Sequence, residues 1–313
     1  MPFYTGLRKF LDENPTDLLI LQHGDAAKRK AKLQFIIDRM LRLKRALREQ
    51  IPAKTVSDSL LLATWNLREF DSNGKKQGPR LIESFYYIAE IINSFDLVAV
   101  QEVKQDLSAL KTVMRILGPG WDFLVTDITE GTSGNGERMA YIYNKSKVLF
   151  TNIAGEIVLP SKKDSKVEQF ARTPYLVSFQ SGWLKLNLCT VHIYFGSGQT
   201  LVRRVEEIGR ISEFFKKRSL KDQENYILLG DFNIVGKEDE TMKALLKGGF
   251  KIPDKIQKNT KGSNLDKSKF YDQIVYRDKK GIFNLRAMPV SSIFMNTYLK
   301  KMKWRSIRRI IIF

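Results

Sequence analysis

Cysteine is all but missing from this 313-residue chain: the one present, Cys189, lies inside an apolar run. A disulfide framework within the chain is thereby excluded, which suits a reducing compartment, and a cytoplasmic location is expected. Histidine is nearly as scarce, with only His23 and His192. One thiol and two imidazoles cannot build a usual structural zinc site, so any metal is expected to be a hard ion held by carboxylates. No apolar run approaches the roughly 18 residues of a membrane span. The opening "MPFYTGLRKFLDENPTD" has no long apolar core and does not read as a secretory signal. Internal repeats and low-complexity linkers are also absent. Acidic residues fall well short of basic ones, 34 against 53, for a net charge of +19. Such an excess points to polyanionic partners, nucleic acid first and an anionic membrane second, although charge can also serve solubility alone.

What is present is enough apolar residue, 43%, to bury a sizeable core. Residues 1–57 read as a helical extension and residues 58–313 as the main domain. In the extension, "DAAKRKAKLQFIIDRMLRLKRALREQIP" has a helix start at Asp25 and a stop at Pro52. Leu33, Ile36, Ile37, Met40 and Leu47 recur at helical spacing opposite a Lys/Arg-rich face. Such a face could meet nucleic acid, but packing of the apolar stripe on the neighbouring domain is the better expectation. From residue 60, "LLLATWN" and "DLVAVQEV" read as apolar strands, each followed by an amphipathic helix, "RLIESFYYIAEIINSF" and "DLSALKTVMRIL". Strands then dominate ("WDFLVTDI", "RMAYIYN", "TPYLVSFQ", "WLKLNLCTVHIYF"). The long helix "TLVRRVEEIGRISEFFKKRSL" and the strands in "ENYILLGDFNIV" and "YDQIVY" follow. The polar stretches 130–137 and 255–269 are expected to be mobile loops. Strands mixed with intervening helices point to stacked sheets covered by helices.

Several apolar strands end in polar side chains: Asn66 after "LLATW", Glu102 after "LVAVQ", His192 after "LCTV", and Asp231 with Asn233 around Phe232 after "ILLG". A strand end lets a side chain leave the core while staying rigidly placed. Singly, each has a simpler reading as a cap or an Asx-turn. Jointly, Glu, Asp, Asn and His delivered to one rim suit a hydrolytic site around a hard metal.

In order along the chain, "LLATWNLREF", "LVAVQEVK", "NGERMAYIYN", "ARTPYLVSF", "TVHIYFG", "LLGDFN" and "FYDQIVY" resemble the endonuclease/exonuclease/phosphatase superfamily, from about Leu60 to Tyr276. A helical lead-in before the first strand is similar to its bacterial members. The resemblance implies the deoxyribonuclease I-like α/β fold, a four-layered sandwich of two mixed β-sheets flanked by helices. It also implies a Mg²⁺-dependent (or Mn²⁺-dependent) phosphodiester hydrolase, with a nuclease acting on DNA as the leading expectation. A phosphatase or phospholipid-head phosphodiesterase on the same scaffold, or a non-catalytic nucleic-acid-binding remnant, is the alternative. By resemblance, Glu102 would ligate the metal with help from Asn66. Asp231 would orient or deprotonate the attacking water, and Asn233 would hold a phosphoryl oxygen. His192 would donate to the phosphate, with Glu137 as its acidic partner. Arg172, and as plausible backbone contacts Arg68 and Lys104, would meet phosphates.

The family's last strand opens with a Ser-Asp-His-like motif whose histidine pairs with the acid at the Asp272 position. No histidine follows Asp272 here. The tail resembles bacterial members up to Trp304 and Arg305, then changes abruptly to "SIRRIIIF". A frameshifted or truncated end is favoured over a true variant. Asp272 would then lack its partner and activity would be reduced, since one preorganised donor to the transition state is worth on the order of 3 kcal/mol.

Overall fold

A computed structural model describes residues 1–13, 20, 24–57, 59–70, 80–130, 134–160, 169–196, 198–264, 266–279 and 281, together with the backbone of 310–312. His23, Trp304 and Arg305 lie outside the described residues.

The first sheet contains β1 (Leu62–Phe70), β2 (Leu97–Lys104), β3 (Trp121–Val125), β4 (Glu137–Asn144) and, from the tail, β10 (Ile310–Ile312), in the order β10-β1-β2-β4-β3. The second runs β5-β6-β7-β8-β9, from Leu149–Glu156, Tyr175–Ser181, Leu184–His192, Tyr226–Asp231 and Asp272–Arg277. Two neighbouring pairs, β1 with β2 and β7 with β8, are parallel; all others are antiparallel. Helices α1 (Ala26–Gln50), α2 (Ile82–Asn93) and α3 (Ser108–Leu117) lie in the first half of the chain. Helices α4 (Leu201–Asp222), α5 (Glu240–Lys247) and the short α6 (Asp254–Lys258) lie in the second.

The apolar strands have two faces to bury, which is why their runs are nearly continuous. In β2, Val98 and Val100 join a core with α1, α2 and α3, while Leu97 and Ala99 face the other sheet. In β8, Tyr226 and Leu228 pack with α4 and α5, while Ile227 and Leu229 point between the sheets. The inter-sheet core is aromatic as well as aliphatic, with Tyr141, Tyr143 and Phe150 ringed around Phe179 at 5.3–6.2 Å. Helix, sheet, sheet and helix thus form the four layers of the deoxyribonuclease I-like sandwich.

Helix α1 begins where the sequence signals it: Asp25 is the N-cap and accepts from the Lys28 backbone N–H at 2.9 Å. Leu33, Ile36, Met40, Leu43 and Leu47 are buried in one core with Trp65 of β1 and Phe85 of α2. Ile37 differs from the expected stripe: it is 38% exposed, since one residue beyond Ile36 is a rotation of about 100°. Tyr4, in the segment before α1, donates to Glu90 of α2. Strand β5 and helices α5 and α6 were not apparent in the sequence. Of the stretch 255–269, expected as a mobile loop, residues 255–258 belong to α6, and beyond them the chain is closed on itself by Gly262 N–H to Lys267 O (2.7 Å) and Ser263 N–H to Lys269 O (2.7 Å). Among the described residues, no helix is long and apolar enough to cross a membrane.

Candidate active site

Parallel pairing delivers the polar strand ends to one rim. In register, His192 of β7 stands beside Asp231 of β8, and Asp231 beside Asp272 of β9. Gly230 makes the first pairing possible: a Cβ there would sit 2.1 Å from Val191 O, and its φ is +138°. Beyond the strand, Phe232 turns inward and is fully buried, leaving Asp231 and Asn233 to either side of it. Across the gap, Asn66 is level with Gln101, and Glu102 follows. Beneath the rim the two sheets are tied by Gln101, whose amide donates to Thr64 Oγ1 (3.0 Å) and Thr190 Oγ1 (2.8 Å).

The rim is also where the backbone is strained. Of the eight non-glycine residues with positive φ among the described residues, five lie on it: Arg68, Glu69, Glu102, Asn135 and Asn233. Such conformations cost on the order of 1–3 kcal/mol each and persist only where the surroundings impose them. The surroundings here are visible. Arg80, 8% exposed, donates to Leu67 O (2.8 Å) and Arg68 O (2.7 Å), and clamps the bulge that interrupts the β1–β2 register. Asn233 holds its turn by donating from Nδ2 to Ile193 O at 2.7 Å, while its N–H donates to Asp231 Oδ1 at 2.9 Å.

One hydrogen-bonded centre results, spanning both sheets. Asn66 Nδ2 donates to Glu102 Oε1 (2.7 Å) and to Asp231 Oδ2 (3.0 Å), holding two buried carboxylates on either side of one amide. Its Oδ1 accepts from the Arg68 N–H at 2.9 Å, which fixes the amide's orientation. Glu102 Oε2 accepts from the Glu69 N–H at 2.9 Å. His192 stands with Nε2 4.0 Å from Glu102 Oε1 and Nδ1 2.8 Å from Glu137 Oε2. Glu137 also meets Arg172 Nε at 2.6 Å, Lys104 Nζ at 3.3 Å and Asn135 Nδ2 at 2.7 Å. The His192 Nδ1 and Arg172 Nε contacts to Oε2 are close ionic ones rather than well-aligned hydrogen bonds, while Arg172 Nη2 donates to Glu137 Oε1 at 3.5 Å.

The electrostatics follow from this packing. Burial works against charge on Glu137, but His192, then Arg172 and Lys104, hold its carboxyl well below the usual carboxylate range. Burial and Arg172 push the His192 imidazole down; Glu137 and Asp231 outweigh them and leave its pKa raised. The pair is therefore a carboxylate and an imidazolium over the range where both shifts act.

Glu69, Glu102 and Glu137 offer carboxylate oxygens all within 4.8 Å of one another. An all-oxygen donor set without thiolate fits a hard divalent cation. Lys104 already bridges Glu69 (3.2 Å) and Glu137 (3.3 Å), whereas Glu102 accepts from two neutral donors, the Asn66 amide and the Glu69 N–H. Glu102 is thus the carboxylate of the three with most to gain from a bound cation, with Glu69 beside it.

The structure therefore brings Asn66, Glu102, Glu137, Lys104, Arg172, His192, Asp231 and Asn233 together. Lys104 is turned into the acidic cluster, its side chain only 11% exposed, rather than out along a groove. Arg68 contributes its backbone N–H, and its side chain is half-buried at the rim. Asp272 lies one strand further along, and its Oδ2 accepts from Ser263 Oγ at 2.7 Å, so a serine meets the acid for which a histidine was sought. Sequence reasoning missed Glu69, Asn135, Arg80 and Glu207. The Asn-Gly of "GNGE" was a visible turn signal for Asn135. Nothing local marks Glu207, a fully buried residue of α4 that accepts from the N–H of Ala171 (3.1 Å) and of Tyr194 (3.2 Å), fixing the segments that carry Arg172 and His192.

Two packed mixed sheets, helices outside, and a carboxylate-amide-imidazole centre where strand ends of both sheets converge define a fold class. The chain has the deoxyribonuclease I-like fold of the endonuclease/exonuclease/phosphatase superfamily. Solved structures with this architecture are similar to it at low identity. The human Nocturnin catalytic domain with bound sulfate matches at 12% identity over 81% of this chain and 92% of that one, with a TM-score of 0.59. TDP2 from D. rerio, complexed with a single-strand DNA product, matches at 16% over 82% and 98%, TM-score 0.53. A mannosyl-6-phosphatase from Bacteroides thetaiotaomicron matches at 21% over 70% and 85%, TM-score 0.52. No family model and no curated protein matches the chain.

Proposed function

We propose that this protein is a hydrolase of phosphodiesters, dependent on Mg²⁺ or Mn²⁺, and that its substrate is a nucleic acid, DNA in the first instance. The observation that carries the reading is the Asn66 amide held between Glu102 of one sheet and the neighbourhood of His192 in the other, with hydrogen bonds to both Glu102 and Asp231. Two carboxylates and an imidazole are thereby fixed around one space, although they come from strands far apart in sequence. When bound by Glu102 and Glu69, a divalent ion would supply Lewis-acid polarisation of the phosphate and stabilise charge on the leaving oxygen.

The chain's own groups then have separable tasks. Asp231 is aimed by the Asn66 amide and the Asn233 N–H, and it orients or deprotonates the attacking water. His192, with Nδ1 against Glu137, presents Nε2 to a phosphoryl oxygen as a charged donor. Arg172 adds a guanidinium on the same side and holds Glu137. Asn233 keeps one amide hydrogen for the phosphate after giving the other to Ile193 O.

The relatives of this fold include a phosphatase and a protein with DNA in its structure, so architecture alone does not choose a substrate. The charge of +19 favours a polyanionic backbone over a small ester. A reducing cytoplasm is the compartment we assign to it, with Cys189 buried and unreactive. The test is nicking of supercoiled plasmid by purified protein with Mg²⁺, alongside Asp231→Ala, EDTA and a phosphoinositide substrate. Nicking is expected, lost with EDTA and with Asp231→Ala. Phosphate release from the lipid headgroup without nicking would refute the nuclease assignment. Full hydrolysis in chelator would refute the metal dependence.

A further inference from the structure

Just past His192 the chain puts aromatic rings on the surface. Phe195 is 50% exposed, yet it is not a loose surface residue. The guanidinium of Arg204 lies 4.9 Å from its ring centroid, and Tyr271 meets it at 5.9 Å with the planes 82° apart. Arg204 is itself 3% exposed; it donates to Asn233 O at 2.7 Å and to Gly196 O. The exposed ring therefore stands on a buried cation that is anchored to the catalytic turn. Tyr271 is equally tied to the rim: its carbonyl accepts from the Phe232 N–H at 2.7 Å, and it immediately precedes Asp272. Other exposed apolar side chains, such as Val56 and Trp183, have no such mounting among the contacts described.

A rigid, half-exposed ring beside a phosphate-binding rim is suited to one kind of ligand chemistry. Holding a ring in place costs rotamer freedom, and covering one face with a guanidinium polarises it toward a second flat partner. A nucleobase offers such a face only when it is out of a duplex stack, because in paired DNA both faces are taken by neighbours. We propose that Phe195, backed by Arg204 and edged by Tyr271, is a stacking shelf for an unpaired nucleobase adjoining the scissile phosphate, and that the substrate is single-stranded nucleic acid. The proposal rests on the phosphodiesterase reading for the position of the phosphate, but base stacking can be measured without hydrolysis.

The test is fluorescence anisotropy in EDTA with one labelled oligonucleotide sequence, presented as single-stranded DNA, as single-stranded RNA and as the DNA duplex. Tighter binding of a single strand than of the duplex is expected, with the DNA and RNA arms showing which sugar is preferred. Phe195→Ala and Phe195→Leu should weaken single-strand binding by about 5- to 100-fold, the leucine showing that loss of the ring rather than of apolar bulk is responsible. Phe195→Trp should stay within about threefold of wild type. Duplex binding equal to or tighter than single-strand binding, or unchanged single-strand affinity in Phe195→Ala with its circular dichroism intact, overturns the shelf. Separately, hydrolysis of bis(p-nitrophenyl) phosphate by the wild-type protein with Mg²⁺ tests the hydrolase reading. No turnover of that probe with a ring-dependent single-strand preference would sink the chemistry and leave the shelf standing.

Discussion

Glu137→Gln is the substitution from which the site has most to lose. The carboxylate is 3% exposed and faces His192, Arg172 and Lys104 within 3.3 Å. Glutamine keeps the shape and removes the charge, so three cationic groups remain in a buried setting with only Glu69, Glu102 and Asp231 nearby to balance them. Removing one member of a buried ion pair typically costs about 3–5 kcal/mol, and that is the loss of unfolding free energy expected here. The loss should depend on pH in a defined way. His192 has a raised folded-state pKa, so its contribution is full below the ordinary imidazole value of about 6.5 and fades as pH rises through the raised value. Glu137 has a depressed one, so its contribution is full above the ordinary carboxylate value of about 4.3 and fades as pH falls through the depressed value. The gap between wild type and variant should therefore be widest between about pH 4.3 and 6.5, and should narrow on the alkaline side to what Arg172 and Lys104 supply. Urea denaturation followed by tryptophan fluorescence at closely spaced pH values measures it. A gap below about 1 kcal/mol, or one that stays flat from about pH 5 to 9, would mean that imidazole and carboxylate are not coupled and that the assignment of His192 as a charged donor is unsound.

Three further outcomes are expected. Ile36→Ala should lower stability by about 2–5 kcal/mol in a single unfolding transition, because Ile36 is fully buried in the core shared by α1, α2 and β1; two separate transitions would mean that residues 1–57 fold as their own unit. Gly230→Ala should cost more than about 1 kcal/mol and spoil the rim, since its new methyl would meet Val191 O at 2.1 Å; wild-type stability with wild-type nicking would show that β7 and β8 are not held so close. Mg²⁺ should raise the melting temperature of the wild-type protein, by an amount corresponding to about 2.7 kcal/mol at a hundredfold excess over its dissociation constant, and Glu102→Gln should abolish that rise. An undiminished rise in Glu102→Gln would move the cation away from that carboxylate.

What was legible in the sequence follows from which forces act locally. Strand runs such as "DLVAVQEV" and "YILLGD" announced themselves because burial on both faces leaves no polar position until the strand ends. For the same reason Glu102 and Asp231 stood out at those ends. Helix α1 was readable from its cap at Asp25 and its apolar spacing. Strand β5 was not, because "LFTNIAGE" is mostly exposed, buries no residue fully and carries no alternation to detect. Tertiary partners were invisible too. The Glu207 carboxylate sits in a helix whose sequence looks like any charged amphipathic helix, yet it fastens Ala171 and Tyr194, neighbours of Arg172 and close to His192.

The bulge at Arg68 and Glu69 shows most clearly why a motif is less than a site. "WNLREF" reads as strand, and Leu62–Phe70 is one, but the β1–β2 register breaks between Asn66 and Phe70, and two consecutive residues take positive φ. No propensity asks for that in Arg or Glu. It exists because Arg80 draws two successive carbonyls toward one guanidinium. The result is a backbone N–H from Glu69 aimed at Glu102 Oε2 and a third carboxylate brought within reach of the first two. Arg80→Lys makes the dependence measurable. Both carbonyls are met by the one nitrogen Nη2, held there by a planar guanidinium that lies 5.3 Å from the Phe70 ring centroid, and the shorter, non-planar lysine ammonium does not reproduce that placement. The Mg²⁺-dependent rise in melting temperature should therefore shrink even where stability without the metal changes by less than about 2 kcal/mol. An unchanged rise would mean that the strained turn holds itself, and that the acid cluster is set by β1 and β2 alone.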